Sequence, residues 1–246
     1  MIGSSLLREG GVARHNGRVG GTSADVFRVL FVCTGNICRS PSAEILTRHL
    51  LRGRLGGREA ARFDVRSAGV QAVVGSGIHP MARAQLAPWG LDDAHSAGFV
   101  ARQLRGDVLA GVDLVLGATP RHRSAILEEF PHLLDRTFSL REFARLAAEL
   151  PRETLPPDAV ARGHSVVAGA RGMRGRVPAP DDDDIPDPMG GPPEAHRLST
   201  TLIFDALRTV LDVLAPRNPP APPSGPPRRP LPPPQVRHPA QQFRGA

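Results

Sequence analysis

At 246 residues, 40% of them apolar, the chain has material for one packed core, and no run approaches the ~18–20 apolar residues of a membrane span, so no membrane partner is expected. The net charge of +7 rests on arginine with no lysine, and the surplus lies in residues 1–24, 150–180 and 216–246 while the remainder is net acidic; a coding bias explains this better than phosphate contacts, and no specific nucleic-acid partner is expected. Two cysteines five residues apart exclude a disulfide framework and suggest a reducing, cytoplasmic setting, and nine scattered histidines without zinc-ligand spacing argue for no metal and no cofactor.

Residues 1–24, rich in Gly, Ser and Arg without periodicity, read as a disordered arm. Residues 26–32 are apolar except for Arg28 and read as a buried parallel strand. A tight loop follows, and Pro41 opens an apolar-periodic helix over 41–53. Next come strand 63–67, a helix near 79–88, strand 112–117, helix 120–130, a short strand at 136–140 and helix 141–150. Residues 150–180 mix Pro, Gly and Arg and read as a long flexible loop. The final helix, 192–214, is the clearest, with one stripe of Leu198, Leu202, Ile203, Ala206, Leu207, Val210, Leu211 and Leu214 stopped by Pro216. Residues 216–246 are dominated by proline and read as a disordered tail. One domain over 25–215 is therefore expected. Its alternating strands and helices imply a parallel sheet covered on both faces, a three-layer α/β/α fold.

Residues 33–41 read CTGNICRSP, between the first strand and the first helix. A strand, an anion-sized loop and a helix N-terminus make a site for a tetrahedral oxyanion. The amides of Thr34, Gly35, Asn36, Ile37, Cys38 and Arg39 can turn inward, and the Arg39 fork matches two phosphate oxygens. Cys33 at the base supplies a nucleophile, which reacts as the thiolate that such surroundings favour. Gly35 allows the backbone to reverse, Asn36 can brace the loop or turn left-handed, and the Ser40 hydroxyl can donate to the sulfur. A bare cysteine followed six residues later by arginine reads as a small buried hydrophobe at a strand end; the whole string in this setting reverses that reading.

CTGNICRSP resembles the signature of the low-molecular-weight protein tyrosine phosphatases, cysteine phosphatases that form a phosphocysteine intermediate. The resemblance implies four strands in the order 2-1-3-4. It also implies a general acid on an Asp-Pro dipeptide before the last helix, which Asp187-Pro188 fits, with Asp184 as runner-up and the rest of Asp181 to Asp184 a solvated loop. Ser67-Ala68-Gly69, Ala101-Arg102-Gln103-Leu104 and residues 112–117 resemble further family segments in the right order. Three positions depart from the pattern. Met189 and Gly190 stand where relatives carry aromatics, Phe99 stands where relatives often carry a His that braces the loop asparagine (His95 lies four residues earlier), and Gly117-Ala118-Thr119 replaces an Ala-Met-Asp type of ending. Trp89 either replaces the aromatic wall or belongs to the core.

The expected function is a phosphomonoesterase acting on phosphorylated protein or a small phosphate ester. Catalysis falls to Cys33, Arg39 and Asp187, and substrate binding to Thr34, Gly35, Asn36, Ile37, Cys38 and Ser40. An apolar Ile37 on the rim favours an aryl group over a guanidinium. The alternatives are an arsenate reductase using a small-molecule thiol, since no cysteine follows Cys38, and a phosphate-recognising scaffold whose Pro-rich tail docks partners. Cys38 either locks an oxidised Cys33 as a disulfide or fills the underside of the loop.

Overall fold

In a computed structural model, which describes residues 25–93, 96–180 and 183–217, four strands form one parallel sheet in the order β2-β1-β3-β4. These are β1 (Phe27–Cys33), β2 (Phe63–Gly69), β3 (Leu114–Gly117) and β4 (Thr137–Ser139). The expected strand order is borne out. The expectations for both terminal arms, for His95 and for Asp181 and Asp182 lie outside the described residues.

β1 is central, paired to β2 from Phe27 to Cys33 and to β3 from Val29 to Val32. Its side chains alternate between two cores, as a strand covered on both faces requires. Phe27, Val29 and Phe31 enter the larger core, with α1 (Arg39–Ala60), α5 (Leu140–Ala148), α6 (Ala159–Met173) and α7 (Pro193–Leu214). Leu30 and Val32 enter the smaller one, with α3 (Gly106–Leu109) and α4 (Pro120–Glu129). The short α2 (Pro80–Ala84) runs alongside α7. Both cores are apolar, so β1 is clamped and its C-terminal end, Cys33, is fixed. No helix among the described residues is long and apolar enough to cross a membrane.

The segment read as a loop over 150–180 instead contains α6. Asp158 caps it, its carboxylate accepting the Ala161 amide at 2.9 Å. Val160, Gly163, Val166, Val167 and Ala170 form its buried stripe. Glycine is required at position 163, because a Cβ there meets the Phe27 ring at 2.9 Å. Close packing on β1 stabilises a helix whose glycine content alone disfavours it. The first helix is longer than expected, starting at Arg39 and breaking at Gly56, where φ is 77°.

Candidate active site

The loop from Cys33 to Arg39 leaves β1 between β2 and β3, at the edge where the strand order reverses. Its carbonyls face outward. Those of Cys33, Thr34, Gly35, Ile37 and Cys38 accept backbone N–H groups from Val70, Gln71, Val73, His79 and Ser42 at 2.8–3.2 Å. A trans peptide points its N–H opposite to its C=O, so the amides of Thr34, Gly35, Asn36, Cys38 and Arg39 turn to the loop interior. Among the described residues none of the N–H groups of Thr34 to Cys38 donates to a backbone carbonyl. Inward amides without backbone partners are the donors an anion needs. Asn36 takes the left-handed conformation that the sequence suggests for it, with φ 54°, while Gly35 has no positive φ.

Asn36 is fully buried and its amide is saturated. Its Nδ2 donates to Ser40 Oγ at 2.8 Å and to Ser67 Oγ at 2.9 Å, and its Oδ1 accepts the Arg102 amide at 2.9 Å. Ser67 in turn donates to Glu44 at 2.6 Å, and Glu44 pairs with Arg48. Burial raises the Glu44 carboxyl above its ordinary range. These contacts brace the loop asparagine. Ser40 Oγ lies 3.0 Å from Cys33 Sγ. The single Ser40 proton, with both amide protons of Asn36 committed, is shared between the Ala68 carbonyl at 3.3 Å and the Cys33 sulfur.

Gly69 lets β2 approach the loop. A Cβ at this position meets the Thr34 carbonyl at 2.4 Å and the Asn36 nitrogen at 3.0 Å, both backbone atoms that cannot step aside. Gly69→Ala is therefore expected to cost about 1–3 kcal/mol of stability. It should also weaken phosphate binding by displacing the loop, which calorimetry with inorganic phosphate on the folded variant measures.

Arg39 is 5% exposed and its guanidinium closes the loop. It donates to Asp187 Oδ2 at 2.6 Å, to the Ile185 carbonyl at 3.2 Å and to Thr34 Oγ1 at 3.5 Å. Asp187, read from the dipeptide with Pro188, is thus brought to the loop, and its side chain stays 47% exposed. Asp184 lines the adjoining cleft of about 620 Å³ together with Asp187, Arg121 and His122. Asp183 is engaged elsewhere, accepting from Arg145 at 2.7 Å. Trp89 is half-buried and packs on Phe204 with ring centroids 4.9 Å apart, against the larger core.

His122 was not anticipated from the sequence. Its Nε2 lies 3.0 Å from Thr34 Oγ1 and its Nδ1 2.8 Å from Thr119 Oγ1. Thr119 also caps α4 by accepting the His122 amide, and the neutral ring bonds one of the two threonine hydroxyls as donor and the other as acceptor. Burial, and then the Arg39 charge, lower the imidazole pKa to about 4. An unfolded histidine takes a proton below its ordinary 6.5, whereas the folded one stays neutral until about 4. The stability due to neutral His122 is thus fully present above about pH 6.5 and is lost as pH falls towards 4, by about 3 kcal/mol at most. Thermal melts of wild type should lose Tm across that window, and His122→Gln should flatten the slope.

Comparison with known proteins agrees with this geometry. Residues 28–157 match the family model for low molecular weight phosphotyrosine protein phosphatase. The protein-arginine-phosphatase of Geobacillus stearothermophilus is 32% identical over 189 residues, covering 77% of this chain and 94% of that protein. The low molecular weight protein-tyrosine-phosphatase Wzb of Escherichia coli K12 is 36% identical over 105 residues, 43% of this chain and 63% of that protein. Among solved structures, the YwlE arginine phosphatase from Geobacillus stearothermophilus superimposes with a TM-score of 0.54 at 28% identity, covering 76% of this chain and 91% of that one.

The chain belongs to the low-molecular-weight protein tyrosine phosphatase family. As a phosphatase of this family it keeps Cys33, Arg39 and the Asp187-Pro188 pair together at one strand edge. Thr119 takes over a position where relatives end the third strand in aspartate. The signal for it was present in the sequence, since Thr119-Pro120 opens a helix and places His122 one turn on.

Proposed function

We propose that the chain hydrolyses phosphoryl groups through a phosphocysteine intermediate. The outward turn of the loop carbonyls, which leaves a ring of amides closed by Arg39, is the observation that carries this reading. The Cys33 thiolate attacks phosphorus in line, forming the S–P bond as the bond to the leaving group breaks. The loop amides and Arg39 stabilise the charge on the equatorial oxygens. Asp187 gives a proton to the departing oxygen, then takes one from the water that attacks the thiophosphate and releases Cys33 and phosphate. In the ligand-free molecule Asp187 is held by Arg39. An arriving phosphoryl dianion competes for the guanidinium and frees the carboxyl to face the leaving group. Asn36 and Ser40 hold the loop and support the thiolate, while Thr34, Gly35, Ile37 and Cys38 shape the cradle. Two free thiols accord with a cytoplasmic setting.

For the leaving group, the part-buried Ile37 on the rim favours an apolar aryl ester, phosphotyrosine in a protein or a small aryl phosphate. A second reading, phosphoarginine, draws on the arginine-phosphatase relatives and on two carboxylates, Asp184 and Asp187, along the cleft. Values of kcat/KM on matched phosphotyrosine, phosphoarginine, phosphoserine and small-ester substrates decide between them. Turnover favouring the aryl ester supports the first reading, and preference for phosphoarginine replaces it with the second. Tight phosphopeptide binding without any turnover makes the protein a scaffold. Thiol-dependent arsenate consumption exceeding phosphate release makes it a reductase.

A further inference from the structure

A second cluster of reactive side chains lies against the underside of the same loop. Cys38 precedes α1, His79 precedes α2, and His196 stands on the first turn of α7. One ligand atom from each lies within 4.8 Å of those of the other two. The two imidazoles stack, with centroids 5.2 Å apart and planes 10° from parallel. The His79 amide donates to the Ile37 carbonyl at 2.8 Å, which ties this histidine to the loop.

What separates the cluster from ordinary packing is its unmet polarity. His196 is 1% exposed, and among the described residues neither of its ring nitrogens has a hydrogen-bond partner. The Nδ1 of His79 is also buried without one. Buried side-chain polar atoms nearly always find partners, because each one left unmet costs about 1–3 kcal/mol. Two imidazoles with unmet nitrogens, each bringing one ligand atom beside the Cys38 thiol, describe a ligand set rather than a filled core.

We propose that Cys38, His79 and His196 bind a thiophilic d10 cation, Zn2+ or Cu+. One thiolate and two imidazoles suit these ions and not Mg2+ or Ca2+, which take oxygen ligands. The Met189 thioether, 3.4 Å from the Cys38 sulfur, softens the surroundings further. The donor atoms must draw in to the bond lengths of about 2.0–2.3 Å that Zn2+ requires. Parallel rings cannot both aim at one ion, so one must turn about its χ2. His79 is part-buried and stands before a five-residue helix without a side-chain capping bond, which makes it the ring free to do so. On binding, the thiol proton is released and the cation joins the loop to the start of α7. The site thereby ties the frame of the phosphate cradle to the segment that carries Asp187. The proposal concerns binding alone and does not depend on turnover.

The probes are Zn2+, and separately Cu+ under anaerobic reducing conditions, each titrated into metal-free full-length protein against a chromogenic chelator. Cys33→Ser serves as the background, because the other thiol is itself a ligand. We expect one tightly held ion per chain in wild type and in Cys33→Ser, with at least about tenfold weaker binding when Cys38→Ser or His79→Ala is added. Co2+ should give a thiolate charge-transfer band that Cys38→Ser removes. Should His196→Ala fail to fold, His79→Ala still decides, with its thermal unfolding curve as the control for a folded chain. Zn2+ should raise the Tm of wild type and leave that of Cys38→Ser unmoved. Binding that disappears in Cys33→Ser yet survives His79→Ala assigns the ion to the other cysteine and overturns the proposal. So does binding equal to that of Mg2+, or no ion retained against the chelator.

Discussion

Cys33→Ser is expected to lower kcat/KM on an aryl phosphate by at least about 10⁴-fold, the scale on which single catalytic nucleophiles act. The substitution exchanges sulfur for oxygen and little else. Position 33 is the last residue of a strand hydrogen-bonded on both sides and buried between two apolar cores, so the backbone has no reason to move. A serine hydroxyl is a far weaker nucleophile than a cysteine sulfur. The inward amides and Arg39 remain, so inorganic phosphate should still bind and still raise the Tm of the variant. Loss of turnover with retention of the anion is the signature of a removed nucleophile. Activity persisting near the wild-type value removes the phosphocysteine mechanism. Loss of both turnover and phosphate binding shows that the variant has damaged the cradle and not the chemistry alone.

The parts of this molecule that were legible in its sequence are those written in contiguous residues. The apolar run with one arginine gave β1, and its alternation between two cores follows from the pleat. CTGNICRSP gave the loop because strand end, turn and helix start lie in nine successive positions. Asp187 is singled out by the Asp-Pro dipeptide that the family resemblance implies, although its contact with Arg39 spans 148 positions. What escaped was built by tertiary approach. Glu44 and Ser67 extend the Asn36 network only because β2 lies beside the loop, and His122 reaches Thr34 across the sheet edge. Cys38, His79 and His196 have no local spacing to detect. The α6 stripe was present in the sequence, yet its glycines argued for a loop. They are favourable only once Phe27 is known to press on Gly163 and Leu150 on Gly169.

Asp187→Ala is expected to slow hydrolysis by about 10²–10⁴-fold, the usual share of general acid–base catalysis. The loss should be steepest for esters whose leaving oxygen is most basic. Two roles for Asp187 have to be separated, because its carboxylate also holds Arg39 at 2.6 Å. Asp187→Asn separates them. The amide oxygen can still accept from the guanidinium, but the side chain can neither give nor take the proton. If the carboxyl acts as the acid, both variants should show a rate that falls sharply with leaving-group pKa, whereas wild type varies little. Asp184→Ala, altering the neighbouring carboxylate of the same cleft, should keep the wild-type dependence. With Asp187→Asn the phosphoenzyme should also persist longer, since water then attacks it without a base, and acid quenching followed by mass measurement reads this directly. A uniform loss across all leaving groups, cured by asparagine, makes Asp187 a positioning residue for Arg39 and moves the search for the acid to Asp184. The exposure of Asp187 favours the first outcome. A carboxylate 47% open to solvent can leave Arg39 when a phosphoryl dianion takes its place, whereas the guanidinium, anchored also by the Ile185 carbonyl, stays where it is.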